Sequence, residues 1–279
     1  MIIYHNDPDG KMSAVIAEQA LNEQEFFDVD MIPMNYANEF DLDIIEPDDI
    51  IVIVDFSFKP EIMREIEKRC PKLIWIDHHA TCKDYGLEDL DGLRNFEDKK
   101  FAGCELTWQY FYPDKKMPTA VRLLGDYDCW RLAEKDKSLV FIEAVKSITN
   151  WKEIYKAMLN NENLTNYFIE TGKAMVQYKN SYCQSIRESF SYETDFEDHK
   201  MLAMNVYGFG SSAFAEKFKE HDAVISYIYD GEKYTVSLYS DKIDVSAICK
   251  KHGGGGHKGA AGFTCTELPF VKTQKTKGE

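Results

Sequence analysis

A chain of 279 residues with 48 acidic and 33 basic side chains, net charge −15, has the length of one large or two ordinary domains. Its 44% hydrophobic and 13% aromatic content is enough for true cores, and its acidity argues against a broad phosphate-tracking surface for long duplexes. A short or small phosphate-bearing substrate fits better, because carboxylates that hold divalent ions have their local charge reversed. No apolar run approaches a membrane span; the longest, residues 50–56, is strand-sized. The start, Met1-Ile2-Ile3-Tyr4-His5, meets charge at Asp7 without a basic segment or cleavage site, which predicts no signal peptide. Cysteines scattered at 70, 82, 104, 129, 183, 249 and 265 predict reduced thiols in the cytoplasm.

Residues 1–4 form a short β-run, followed by His5-Asn6-Asp7-Pro8-Asp9-Gly10. Met12, Val15, Ile16, Ala20 and Leu21 then repeat at the spacing of a core-facing helix. The first strand therefore ends in His-x-Asp-x-Asp and runs into a helix N-terminus, where anionic groups are favoured. An Asp-Pro-Asp-Gly turn explains part of this, but a turn needs neither His5 nor carboxylates two residues apart. Residues 29–34 predict a second strand, and Ile50-Ile51-Val52-Ile53-Val54-Asp55 a buried one ending in aspartate. Pro60 opens a helix through Cys70 with Ile62, Met63 and Ile66 on one side. Then Leu73-Ile74-Trp75-Ile76 stops abruptly in Asp77-His78-His79, as a buried parallel strand does when it presents reactive groups at its carboxyl end. Aspartate and histidine together suit Mn²⁺, Fe²⁺, Co²⁺ or Zn²⁺. β-runs that end in Asp or His, with helices between them, predict a parallel α/β sheet with a site along its carboxyl edge.

Residues 80–100 read as a charged loop. Helical patterns follow over 102–112 and 118–125, the second delivering Gly125-Asp126-Tyr127-Asp128-Cys129-Trp130. An aspartate here either completes a metal cage or caps a turn. Residues 138–160 are helical, and 163–190 form one long helix read as a connector. From Lys200 the pattern turns β-rich, over 201–206 and 223–229, with a helix at 213–218. Asp230-Gly231 then signals a hairpin before 234–239. Lys250-Lys251-His252-Gly253-Gly254-Gly255-Gly256-His257-Lys258-Gly259 is too decorated with His and Lys for a linker, and its glycines let backbone N–H groups approach an anion. The organisation expected is thus a parallel-sheet domain over 1–160, a helical connector over 161–194 and a smaller α+β domain over 195–268. The basic tail over 269–279, with Lys272, Lys275 and Lys277, is expected to be disordered.

These stretches, in this order, resemble the DHH/DHHA1 phosphoesterase superfamily, whose members include RecJ-type exonucleases, nanoRNases and cyclic-dinucleotide phosphodiesterases. His5-x-Asp7-x-Asp9-Gly10 is similar to its first motif, Asp55 to the second, Asp77-His78-His79 to the third and Asp126 to the fourth. Gly253-Gly254-Gly255-Gly256-His257 is similar to the signature of its C-terminal domain. The resemblance implies two divalent ions, usually Mn²⁺: His5 and Asp7 on one, Asp9, His78 and Asp126 on the other, and Asp55 bridging. His79 would face the substrate phosphate, and Asp77 would orient the histidines from behind. Asp126 is preferred over Asp128 because an apolar-Gly-Asp context fits the motif better. Gly254, Gly255, Gly256, His257 and Lys258 would hold the substrate's phosphate or backbone. Where relatives often place an arginine in the strand before the glycines, this chain has Val236-Ser237-Leu238-Tyr239-Ser240, and Tyr239 offers a base a stacking surface instead.

The expected activity is metal-dependent hydrolysis of phosphodiester bonds in very short oligonucleotides, releasing nucleoside monophosphates in the manner of a nanoRNA exonuclease. Alternatives are a cyclic or linear dinucleotide (pApA) phosphodiesterase, a 3′-phosphoadenosine 5′-phosphate, pyrophosphate or polyphosphate hydrolase, and an inactive nucleic-acid-binding relative. No membrane partner is expected, and a homodimer is left open.

Overall fold

Apolar runs of four residues build the first sheet. Strands β1 (Ile2–His5), β2 (Met31–Met34), β3 (Ile51–Val54) and β4 (Leu73–Ile76) pair in parallel in the order β2-β1-β3-β4. The computed structural model describes residues 1–26, 28–36, 38–97 and 100–273. Side chains alternate across a strand, so a run apolar at every position needs cover on both faces. Ile51 and Ile53 pack with Met63 and Ile66 of α2 (Pro60–Arg69). Val52 and Val54 pack on the opposite face with Ala14, Ala17 and Leu21 of α1 (Pro8–Glu23) and Leu106 of α3 (Gly103–Phe111). Burying each such aliphatic side chain is worth about 1.5–3 kcal/mol. Pro8 starts α1 at its first turn, and Asp7 caps it by accepting from Gly10 N at 2.8 Å.

Helices α4 (Thr119–Asp128), α5 (Lys135–Val145) and α6 (Trp151–Asn160) complete a second layer against Met12, Val15 and Ile16 of α1. The single helix expected over 138–160 is thus two. The break falls where Ser147 Oγ donates back to Ala144 O at 2.7 Å and the following Ile148-Thr149-Asn150 favours a turn over helix.

Helix α7 spans Glu162–Phe190, and the chain divides within it into units Met1–Val176 and Gln177–Glu279. Ile169, Leu164 and Phe168 belong to the core of the first unit, Cys183 and Ile186 to that of the second. The second unit is a sheet of order β5-β6-β7-β8-β10-β9, formed by β5 (Tyr192–Phe196), β6 (His199–Asn205), β7 (Ala223–Tyr229), β8 (Tyr234–Tyr239), β9 (Gly255–His257) and β10 (Ala260–Cys265). The β6–β7 pair is parallel and the rest antiparallel. A short helix α8 (Lys217–Glu220) precedes β7, and α9 (Val245–Lys251) covers one sheet face through Val245, Ile248 and Cys249. Strand β5 escapes sequence reading because Glu193 and Asp195 are poor strand formers; it survives as an edge strand, where charge is tolerated.

The glycine run is not an open loop. Gly255–His257 form the edge strand β9, and Gly254 fits only because it lacks a side chain. A Cβ there would lie 2.1 Å from Gly262 O and 2.6 Å from Phe263 Cβ. Gly254→Ala is therefore expected to cost about 1–3 kcal/mol of stability through overpacking, read as a lower denaturation midpoint of the second unit. An unchanged midpoint would return the glycine to a purely ligand-facing role.

The tail expected to be disordered from Pro269 instead begins packed. Phe270 is buried against Phe196 and Tyr227. Thr194 Oγ1 donates to Val271 O at 2.8 Å, and Thr273 N donates to Glu193 O at 2.9 Å. Burial of the Phe270 ring ties residues 270–273 to the sheet. Lys275 and Lys277 lie outside the described residues. Among the described residues no helix is long and apolar enough to cross a membrane.

Candidate metal centre

Register in the parallel sheet brings the carboxyl ends of β1, β3 and β4 to one edge, so His5, Asp55 and the Asp77-His78-His79 triplet arrive together. Asp55 occupies the middle. It follows β3 with a φ of 53°, a left-handed conformation costly for a residue with a Cβ and common where function constrains the backbone. Its carboxylate is 1% exposed, and neither oxygen has a hydrogen-bond partner among the described residues. His78 Nε2 lies 3.2 Å from Oδ1 and His5 Nδ1 3.8 Å from Oδ2. A buried carboxylate with two orphan oxygens is a costly arrangement without a cation.

The surrounding donors fall on two sides. On one, His5 Nδ1 is 3.0 Å from Asp7 Oδ2. On the other, His78 Nε2 is 3.4 Å from Asp128 Oδ2 and 3.7 Å from Asp9 Oδ2. Asp9 is buried and accepts from Gly103 N and Cys104 N, at 2.8 and 2.9 Å, at the N-terminus of α3. His79 Nδ1 lies 2.7 Å from Asp77 Oδ1. Asp77 is fully buried, accepts from His78 N at 2.8 Å, and receives the Ser57 hydroxyl, itself held by Trp75 Nε1 at 2.9 Å. Asp77 thus behaves as an anchor for His79 rather than an open ligand.

The protonation tendencies follow from this crowding. The Asp55 and Asp7 carboxylates raise the His5 imidazole to about 10. Burial pushes Asp128 up to about 7, and the neighbouring Asp9 charge adds to it. Burial and the Asp55 charge likewise push Asp9 up. At Asp77 burial is outweighed by His79 and Ser57, which hold its carboxyl below the usual range.

The donor atoms of His5, Asp7 and Asp55 lie within 4.8 Å of one another; so do those of Asp55, His78 and His79, and those of His78, Asp128 and Cys129. Asp55 is shared by two of these groups. The mix of carboxylate oxygen and imidazole nitrogen suits Mn²⁺ and its neighbours in the first transition row. The residues present therefore fit a divalent-cation centre at this edge.

One expected ligand is corrected. Asp126 is buried away from the cluster and spends its oxygens on the chain that follows it: Ala133 N at 2.8 Å, Glu134 N at 3.1 Å and the Ser138 hydroxyl. Asp128, two residues on, is the carboxylate that reaches His78. Consecutive helical residues are rotated by roughly 100°, so residues two apart point to opposite sides and only one of them reaches the site.

Several contributors carry no motif. A Cβ on Gly103 would lie 2.6 Å from Asp55 Cβ and Oδ1. Gly103→Ala is therefore expected to displace Asp55 and weaken Mn²⁺ binding by calorimetry; undiminished affinity would show that the carboxylate can move freely. Glu105 caps α3 through Ala102 N at 3.0 Å and takes a two-pronged bond from Arg131 at 2.8 Å on each arm. The Ala-x-x-Glu spacing at 102–105 is the one sequence signal of this, as a relative of the capping box. Cys129 Sγ sits 4.0 Å from His78 Nδ1. Tyr36 is 57% exposed, with ring centres 5.0 Å from Phe56 and 5.9 Å from His79; nothing in its sequence context marks it.

The candidate substrate residues belong to the second unit. His257 pairs with Ala260, which pairs with Tyr239, so His257 and Tyr239 share one sheet face. Tyr239 is half-buried against the α7-side core, and Lys258 is exposed in the β9–β10 turn. Gly254 is packed as described, whereas Gly255 has open space where a Cβ would be.

A parallel sheet with acidic and imidazole groups at its carboxyl edge, followed by a mostly antiparallel unit with a glycine-histidine edge strand, defines the DHH/DHHA1 class of fold. Residues 208–276 match the DHHA1 domain family model. The chain is 28% identical over 271 residues to an uncharacterized protein of Acanthamoeba polyphaga mimivirus, covering 88% of this chain and 62% of that one. It therefore spans about three fifths of the length of the curated relative it matches. Among solved structures it is similar to a DHH domain described as a member of the s1p family of ribosomal proteins (TM-score 0.59, 17% identity, 94% of this chain and 81% of that one). It is also similar to the exonuclease RecJ bound to manganese (0.51, 14%, 94% and 84%). A third is the pGpG-specific phosphodiesterase PggH of Vibrio cholerae (0.51, 12%, 95% and 92%). At these identities the structural likeness is one of fold. Residues 208–276 thus carry a DHHA1 domain, and the chain as a whole shares the fold of these DHH-type proteins.

Proposed function

We propose that this chain hydrolyses phosphodiester bonds in short oligonucleotides, down to dinucleotides, with two divalent ions, most favourably Mn²⁺. The observation that carries the reading is Asp55: both its oxygens are buried without a hydrogen-bond partner among the described residues, between His5 with Asp7 on one side and His78 with Asp128 on the other. His5 and Asp7 would hold one ion, His78 and Asp128 the other, with Asp9 beside it and Asp55 shared. A pair of divalent ions supplies a water nucleophile of lowered pKa and charge stabilisation for the attacking and leaving oxygens.

The chain's own residues do the remaining work. Asp77 fixes the His79 ring through Nδ1, which leaves Nε2 to donate to a phosphoryl oxygen as negative charge builds there. Gly103 N and Cys104 N hold Asp9 in place, so that the first-turn carboxylate does not swing toward solvent. In the second unit, Gly255 with open space before it, His257 and Lys258 offer a backbone and two cationic or polar groups to an anion. A nucleotide substrate suits a chain of net charge −15 only if the phosphates it meets are few.

The test is a Mn²⁺-supplemented digestion panel. End-labelled RNA and DNA of graded length, pApA, cyclic dinucleotides, 3′-phosphoadenosine 5′-phosphate and pyrophosphate are compared at equal concentration. Fastest turnover of the shortest oligonucleotides is expected. Phosphate release from pyrophosphate alone, with every phosphodiester intact, would overturn the reading.

A further inference from the structure

The second unit carries a groove of about 510 Å³ that the reaction as proposed does not use, lined by Tyr178, Tyr182, Asn205, Val206, Tyr207, Phe209 and Ile228. No carboxylate is among them, in a chain where acids outnumber bases. Tyr178 is 74% exposed and Tyr207 67%. Tyr178 and Tyr182 stack with ring centres 6.5 Å apart, and Tyr182 meets Phe209 edge-on at 6.1 Å. The Lys179 ammonium lies 5.5 Å from the Phe209 ring.

Neighbouring residues show what the groove opens onto. Ile228 of β7 shares its sheet face with Ser226, two residues before it. Across the sheet Ser226 pairs with Ser237, Ser237 with Gly262, and Gly262 with Gly255. Aromatic surface therefore gives way along one face first to the buried Ser226 and then to Ser237, Gly262 and Gly255, each partly exposed. Neither serine hydroxyl makes a hydrogen bond among the described residues. His257 and Tyr239 stand on the same face. From β7 to β9 the face is three strand spacings wide, roughly 14 Å.

We infer that the tyrosine groove stacks a nucleobase, and that the ligand is a short single-stranded oligonucleotide whose backbone crosses the serine–glycine face toward His257. Flat aromatic walls without carboxylates suit a base, since every base has a π-face. The partly exposed Ser237 hydroxyl and the side-chain-free backbone beyond it suit the sugar and phosphate beside the base. An inorganic phosphate or pyrophosphate would leave the groove unused. The inference rests on the hydrolytic reading only in taking the ligand to be substrate, and it narrows that substrate to one carrying bases.

The test uses the full chain with divalent ions chelated, so that ligand binds without turnover. Affinity for pApA and for pyrophosphate is measured by calorimetry on the wild type and on a Tyr178→Leu/Tyr207→Leu variant. Both side chains are mostly solvent-exposed, so the variant keeps its core, which its melting curve verifies. The expected result is a loss of pApA affinity of roughly fivefold or more, the lower end of what one base stack is worth, with pyrophosphate affinity unchanged. With Mn²⁺ restored, KM for pApA rises in step. Equal pApA affinity in variant and wild type would overturn the inference. So would a halving of the mass by light scattering in the variant, which would make the groove a self-association surface. Failure of the wild type to cleave any phosphodiester sinks the hydrolytic reading instead, and the binding comparison still decides the groove.

Discussion

Asp55→Asn is expected to cut turnover by at least about a hundredfold, the scale on which even the outer partners of metal ligands act, without destabilising the metal-free protein. The sign of the stability effect separates two roles. If Asp55 were a structural counter-ion, neutralising it would strand two buried imidazoles and lower the melting temperature. Its oxygens make no hydrogen bond among the described residues, so a carboxamide of the same shape removes a desolvation cost that outweighs the attraction of the His5 and His78 rings, both of which are partly open to water. The metal-free variant should melt at or above the wild-type temperature. Adding Mn²⁺ should then raise the wild-type midpoint as the free energy RT ln(1 + [L]/Kd), about 2.7 kcal/mol at a hundred times Kd, and leave the variant where it was. A variant that kept its activity and its Mn²⁺-dependent shift would rule out the shared-ligand assignment.

The legible part of the centre is the part that strand ends impose. Ile51 to Val54 and Leu73 to Ile76 are apolar at nearly every position because helices cover both faces, and a chain leaving such a strand first meets water at its carboxyl end. An aspartate or histidine there is conspicuous, which is why Asp55 and the Asp77-His78-His79 triplet are readable from the sequence. His5, Asp7 and Asp9 are readable for a similar reason, since β1 passes into α1 with one turn between them.

What resists reading is set by contacts distant along the chain. Gly103 packs on Asp55, and Gly103 N meets Asp9, yet 94 residues separate that last pair. No local spacing encodes such an approach. The glycine run misleads in the other direction: four glycines suggest an open anion loop, whereas Gly254 is filled by Gly262 and Phe263, and Gly256 has a φ of 136° opposite Ala261. Much of that composition serves a tight edge hairpin, leaving Gly255, His257 and Lys258 as the part free to meet a ligand.

Asp126 and Asp128 show the same limit at its sharpest, and they give the second large expected effect. Both end α4, and the sequence context favours the first, but a helix turns the two to opposite sides. Asp128→Asn should lose most activity and Mn²⁺ affinity, because its carboxylate is the one 3.4 Å from His78 Nε2. Its melting temperature should barely move, since its carboxylate holds no backbone group among the described residues. Asp126→Asn should do the reverse. Its carboxylate accepts from two backbone N–H groups and the Ser138 hydroxyl, and an amide must turn its own NH₂ toward one of those donors. Leaving one such buried group unsatisfied costs about 1–3 kcal/mol, seen as a lower midpoint in denaturant with the metal affinity of the folded protein retained. If instead Asp126→Asn abolished Mn²⁺ binding at unchanged stability, the centre would be built on the other face of α4 and the geometry around His78 would be wrong.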